Sequence, residues 1–229
     1  MPIGYRVNLD VPRADPGLLE RFANVRSTDV ADVMHGCGAM AREIAPAYLP
    51  IRRIVGFAVT VAVPSASEAM IKVGLQAAGP GDVVVVNALG NRRSALVGSN
   101  MLRGLRYRGA AGAVFDGVIR DVSEVRDEEF PVFACGTTTA EGPYAPDAGE
   151  VNFPIACGGV VVNPGDIVLA DEDGVVVIPT ADAETILADV ATLDAKHEAA
   201  QATLQRGEQT NFEKVRASLR DSGCEFIGG

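Results

Sequence analysis

The sequence is poor in the residues that most readily announce a chemistry. It has no Trp, two His and four Cys, and its 20 basic residues are 17 arginines and only three lysines, Lys72, Lys196 and Lys214. The formal charge is −10 and no basic tract occurs. Affinity for a phosphate backbone comes from clustered Lys and Arg, so direct nucleic-acid binding is not expected. Cys37, Cys135, Cys157 and Cys224 lie far apart with no CxxC pair. That spacing argues against a disulfide framework or a zinc site, and for buried, reduced thiols. No run approaches the roughly 20 apolar residues of a membrane helix, and MPIGYRVNLDVPR lacks the apolar region of a signal peptide. The expectation is a soluble, cytoplasmic chain without a membrane partner. A GxSxG elbow is also missing, which leaves serine hydrolysis unsupported.

What is present is enough apolar sequence for a core, since 229 residues with 48% hydrophobic side chains can bury roughly 70% of the unfolded surface. Residues 16–41 carry two short helical patterns, the second with Ser27 and Thr28 as capping candidates. A strand is predicted over 54–63, a helix over 68–78, and the turn GPGD at 79–82 releases the apolar run 83–86. A continuous β-branched run suits a strand buried on both faces. A helix over 99–108 leads into a strand over 112–115, and short strands follow at 131–134, 160–162, 167–170 and 175–178. From Ala181 an apolar stripe at spacings of three and four runs to Leu204 and ends at Gly207, and a second helix opens at Thr210 with Glu213 three residues on.

The segment GSNMLRGLRYRGAAGAVFDGVIRD, residues 98–121, is the most informative for chemistry. It reads as a helix start, a helix, a strand, and a turn carrying Arg120 beside Asp121. Ligand sites in α/β proteins lie beyond the carboxyl ends of strands. A guanidinium grips a carboxylate through two parallel hydrogen bonds, and a neighbouring carboxylate can hold a hard cation. If Ser99 caps the helix, the free amides near Gly98, Ser99, Asn100 and Met101 suit a small anion. The competing reading makes Arg120 and Asp121 a surface ion pair and Ser99 only a cap. Glu124 could face a metal with Asp121 on one helix face, or belong to a solvated acidic face with Asp127, Glu128 and Glu129. Asn87 reads as a strand-end turn residue, and His35 and His197 as packing residues.

The strings GAAGAVFDGVIRD (109–121), VGFAVTV (55–61), AGPGDVVVVN (78–87) and GEVNFPIACGGVVVNPGDIVLADEDGVVVIP (149–179) resemble the RraA-like family over residues 26–182. That family holds the regulator of ribonuclease activity A and the metal-dependent 4-hydroxy-4-methyl-2-oxoglutarate and 4-carboxy-4-hydroxy-2-oxoadipate aldolases. The resemblance implies an α/β/α sandwich of the swivelling β/α/β type. It sets an N-terminal arm at 1–25, a core domain at 26–180 and a C-terminal helical extension at 181–229, assembled as a homotrimer or a pair of trimers. It further implies that Asp121 binds Mg²⁺ or Mn²⁺, that Arg120 holds the pyruvyl end of a 2-oxo acid, and that the amides of 98–101 grip its carboxylate. The reaction implied is cleavage of a 4-hydroxy-2-oxo diacid, or decarboxylation of oxaloacetate, through a pyruvate enolate. A metal would be the electron sink and Arg120 would add positive charge. A Schiff-base route would need Lys, and none lies beside Arg120.

One residue departs from the family's aldolases. They carry an acid where this chain has Ser99, which can hydrogen-bond a water but adds no charge to favour its ionisation. That weakens the expectation of retro-aldol cleavage more than that of decarboxylation. The family's aldolases also bring a Glu from a neighbour's C-terminal helix to the site, for which Glu198, Glu208 and Glu213 are the candidates. The alternative function is a non-catalytic regulator that binds ribonuclease E through an acidic surface. A methyltransferase label sometimes attached to the family finds no GxGxxG after a strand.

Overall fold

The computed structural model describes residues 3–64, 67–142, 148–206 and 212–227. In chain order they form β1 (Tyr5–Val7), α1 (Gly17–Phe22), α2 (Ser27–Val33), β2 (Ala45–Pro46), β3 (Ile54–Ala62), α3 (Glu68–Ala77), β4 (Asp82–Asn91), α4 (Ser99–Tyr107) and β5 (Gly112–Gly117). Then come α5 (Val122–Asp127), β6 (Val132–Ala134), β7 (Gly149–Val151), β8 (Ile155–Cys157), β9 (Val160–Val162), β10 (Ile167–Asp171), β11 (Gly174–Ile178), α6 (Ala183–Gln205) and α7 (Phe212–Asp221). Residues 1–187 and 188–229 form two compact units.

The first unit is a mixed α/β fold around one sheet, ordered β1-β7-β3-β4-β5-β6-β2, with the β10–β11 hairpin added to β3. β3, β4, β5 and β6 are parallel neighbours. Each parallel step needs a crossover, and α3, α4 and α5 supply one apiece. Valines 83–86 show why the run is continuous: Val84 and Val86 enter the core that holds Ile71, Leu102, Leu105 and Val125 of the three helices. Val83 and Val85 point the other way, into a core shared with Val168 and Val177 of the hairpin and Ile155 of β8. Both faces of β4 are therefore buried, and a polar residue at any of the four positions would lack a partner.

The turn before β4 is held by Asp82, 1% exposed, whose carboxylate accepts the Gly79 N–H at 2.8 Å and pairs with Arg13 at 2.5 and 2.7 Å. A Cβ at Gly56 would stand 2.3 Å from the Gly81 carbonyl, so the approach of β3 to this turn requires glycine. The N-terminal residues belong to the same unit, because β1 pairs in parallel with β7.

Several expectations need correction. Ser27 is the first helical residue of α2, with Arg26 at the cap position, and its hydroxyl donates to Asp171 at 2.6 Å. His35 does not pack: it is exposed, at φ 53°, where α2 ends. Of the cysteines only Cys157 is buried, Cys135 is half-buried, and Cys37 and Cys224 are exposed. In the second unit α7 presents exposed Phe212, Val215 and Leu219, while Arg220 lies 5.1 Å from the centre of the Phe226 ring. Gly207, Glu208 and Thr210 lie outside the described residues. Among the described residues no helix is long and apolar enough to cross a membrane.

Candidate active site

The carboxyl end of β5 runs on through Val118, Ile119 and Arg120 to Asp121. Alongside it lies the segment entering α4: Leu96 N–H donates to the Val118 carbonyl at 2.9 Å, and Arg120 N–H to the Val97 carbonyl at 3.1 Å. This ladder sets the first turn of α4 against the Arg120–Asp121 corner. Asp121 then occupies the left-handed region, φ 61° and ψ 36°, at the cap position of α5, yet its carboxylate does not cap that helix. It turns to α4, accepting the Ser99 N–H at 3.1 Å and the Ser99 hydroxyl at 3.5 Å on Oδ2. A non-glycine residue held there costs of order 1–3 kcal/mol, and such strain concentrates at functional sites.

Gly98, not Ser99, holds the cap position of α4, and Ser99 is its first helical residue and is 5% exposed. The anion at this helix N-terminus is thus the protein's own Asp121, where a partial positive charge favours it. Asp121 Oδ1 makes no hydrogen bond among the described residues. The Arg120 Nε stands 3.7 Å from Asp121 Oδ2, and its Nη2 stands 3.1 Å from Glu141 Oε1. A Cβ on Gly98 would fall 2.5 Å from Asp121 Oδ2 and 3.0 Å from Arg120 Nε. The extended backbone of Gly98 suits any residue, so what a methyl group would disturb here is the placement of these two side chains.

Gly98, Arg120, Met101, Glu68 and Glu141 line a cavity of about 20 Å³, room for about one water. Glu68 is tied to Lys72 at 2.8 Å. The Glu141 backbone is fixed by a bridge between Ala95 and Glu141 and by the Ala95 N–H donating to Ala140 at 2.9 Å, while its side chain is 71% exposed. Neither acid was legible in the sequence as a site residue. Glu68 reads as a helix start, and Glu141 reaches the site only through a non-local bridge.

The other candidates are dispersed. Asn100 Oδ1 accepts from Arg103 at 2.9 Å on an exposed surface. Glu124 lies 3.5 Å from Arg103, which also binds Glu128 at 2.6 Å, so it stands in an ion-pair network between α4 and α5. Asn87 is not at a strand end: it lies within β4, where the register with β5 shifts between Asn87 and Asn91, and its Oδ1 accepts the Leu89 N–H at 2.7 Å. Glu198 and Glu213 are exposed residues of the second unit, Glu213 beside Arg216 at 3.5 Å.

The arrangement is that of an α/β protein with a polar site at the carboxyl end of its parallel strands, able to grip a small carboxylate. Residues 27–177 match the family model described as Aldolase/RraA, and the chain belongs to that family. A Halalkalibacterium halodurans protein that carries 4-hydroxy-4-methyl-2-oxoglutarate aldolase as a provisional name is 33% identical over 207 residues, covering 90% of this chain and 96% of its own. The 4-hydroxy-4-methyl-2-oxoglutarate aldolase of Thermus thermophilus is 36% identical over 112 residues, 49% of this chain and 68% of its own. Among solved structures, Streptomyces coelicolor RraAS2, described as an unusual member of the RNase ES inhibitor RraA family, superposes with a TM-score of 0.74 at 28% identity. That match covers 84% of this chain and 99% of RraAS2.

Proposed function

We propose that the protein is a lyase that releases pyruvate from a small 2-oxo diacid, with Arg120 as the carboxylate grip and Asp121 as the ligand of a divalent cation. The observation that carries this is the corner itself: a guanidinium and a carboxylate 3.7 Å apart, packed against a glycine that leaves no room for a methyl group. The names of the relatives support the reaction class.

The donor set fits a hard ion. Among the described residues Asp121 offers a carboxylate oxygen without a partner, and no group of three ligating side chains includes it. One carboxylate, with water and substrate completing the shell, is the usual way of holding Mg²⁺. Bound at Asp121, such an ion supplies Lewis-acid polarisation of the 2-oxo oxygen. Ser99 N–H and the Asp121 backbone fix the direction of the carboxylate. Arg120 binds the substrate carboxylate once Glu141 gives way, because a cavity of about 20 Å³ admits no diacid. When the C3–C4 bond of oxaloacetate breaks, CO₂ leaves, the electron pair moves onto the 2-oxo oxygen, and protonation at C3 completes pyruvate. Arg120 stands beside that developing charge, and one such donor is worth about 10²–10³ in rate.

Ser99 bears on the choice of substrate. Aldol cleavage also requires removal of a hydroxyl proton, and Ser99, whose hydroxyl stands 3.5 Å from Asp121 Oδ2, has no charge with which to assist it. Decarboxylation makes no such demand, so oxaloacetate is the favoured substrate over a 4-hydroxy-2-oxo diacid. A lactate-dehydrogenase-coupled panel of both substrate types, with Mg²⁺ and with chelator, tests the reading. Metal-dependent pyruvate from oxaloacetate is expected, and no turnover of any substrate on the panel refutes it. The likeness to RraAS2 favours a second reading, a protein-binding regulator. Capture of a ribonuclease E-type partner together with no turnover would establish that one.

A further inference from the structure

At the far ends of α4 and α5 from Gly98 and Asp121, the last turns of the two helices and the segment joining β2 to β3 enclose a half-open cavity of about 530 Å³. Three guanidiniums line it from three separate elements: Arg52 from the connecting segment, Arg106 from α4 and Arg126 from α5. Tyr48 and Glu129 complete the polar lining. Among the described residues the side chains of Arg52 and Arg106 form neither a hydrogen bond nor an ion pair, and Arg126 meets only its exposed neighbour Asp127, at 3.7 Å. Burial pushes the Tyr48 phenol up, Glu129 pushes it further and Arg52 opposes them.

A helix C-terminus favours a cation, which accounts for Arg106 and Arg126 taken singly. It accounts neither for Arg52, which belongs to no helix, nor for the convergence of all three on one concavity in a chain of charge −10. Three arginines against Glu129 leave the lining at about +2, which favours an anion there. We propose that this cavity is a second ligand site, separate from Arg120, for a compact polyanion bearing two or more carboxylate or phosphate groups. The planar fork of each guanidinium suits either group. The volume falls in the range of roughly 300–1,000 Å³ of small-molecule sites.

Isothermal titration of the full chain with citrate and with pyrophosphate, at constant ionic strength, tests the proposal. One site per chain with a dissociation constant below about 1 mM is expected for at least one probe, and the better probe decides between carboxylate and phosphate chemistry. The double variant Arg52→Gln/Arg106→Gln, which keeps the apolar stems in place, should weaken that binding at least about tenfold, while Arg120→Ala leaves it unchanged. Three results would overturn the proposal. They are no heat from either probe, loss of binding in Arg120→Ala, or an equal loss in Arg42→Gln/Arg93→Gln, which removes the same charge away from this cavity.

Discussion

Gly98→Ala separates the site from the fold. The backbone there, φ −121° and ψ −178°, is open to any residue, so alanine introduces no backbone strain. Its methyl would meet Asp121 Oδ2 at 2.5 Å and Arg120 Nε at 3.0 Å. Both obstructing atoms belong to partly exposed side chains, 39% for Asp121 and 33% for Arg120, so the side chains yield and the main chain stays. The stability cost then sits at or below the low end of overpacking, about 1 kcal/mol, or roughly 2–4 °C in Tm for a chain of this size. Function is affected more, because moving the carboxylate breaks the Ser99 N–H bond to Oδ2 at 3.1 Å. Misplacing a catalytic group by about 1 Å costs on the order of 100-fold in kcat/KM, while water reaches the partly exposed carboxylate and offsets the lost bond in stability. Coupled pyruvate release and calorimetry on the same preparation provide the two numbers. An unchanged kcat/KM would show that the direction of Asp121 is not used. A Tm lowered by more than about 10 °C would show that Gly98 serves the fold instead.

Three further outcomes follow from the contacts. Glu141→Gln frees Arg120 from an exposed ion pair worth about 0.2–1 kcal/mol, so oxalate should bind about 1.5- to 5-fold tighter by titration calorimetry; weaker binding would make Glu141 part of the grip. The Gly4 N–H, 2.9 Å away, and then Arg6, at 2.6 Å, hold the Glu150 carboxyl below the usual range. A depressed pKa means stability that is present above the unfolded value near 4.3 and lost as pH falls through the folded one. Glu150→Gln should therefore cost about 0.5–1.5 kcal/mol at pH 7 and progressively less below about pH 4 in chemical denaturation; a cost independent of pH would contradict this. Burial, with Asp116 and Cys135 adding to it, pushes the Cys157 thiol above its ordinary range, so a thiol reagent should find Cys37 and Cys224 fast, Cys135 slowly, and Cys157 only on unfolding. Four fast thiols would be incompatible with the packing.

The parts of the fold that local pattern determines were legible in the sequence. β3, α3 and α4 fall within a residue of their expected bounds, because a β-branched run and a 3.6-residue stripe each encode burial directly. The short strands β1, β2 and β7 were not, since two or three residues carry no periodicity and owe their form to the partner strand. The same division runs through the site. Arg120 and Asp121 stand out because they follow an apolar strand. The exchange of roles between Gly98 and Ser99 depends on Asp121 reaching across from another element, and Glu141 on a bridge to Ala95. His35 was misread because the end of α2 turns it outward at positive φ, which apolar neighbours in sequence do not reveal.

The central claim is that Arg120 and Asp121 together form a pyruvate-releasing centre. The direct test is kcat/KM for oxaloacetate in Arg120→Ala and Asp121→Ala, measured with saturating Mg²⁺ beside the unaltered chain. The account predicts a loss of at least about 100-fold in each with folding intact. Rates equal to those of the unaltered chain in both variants would contradict it.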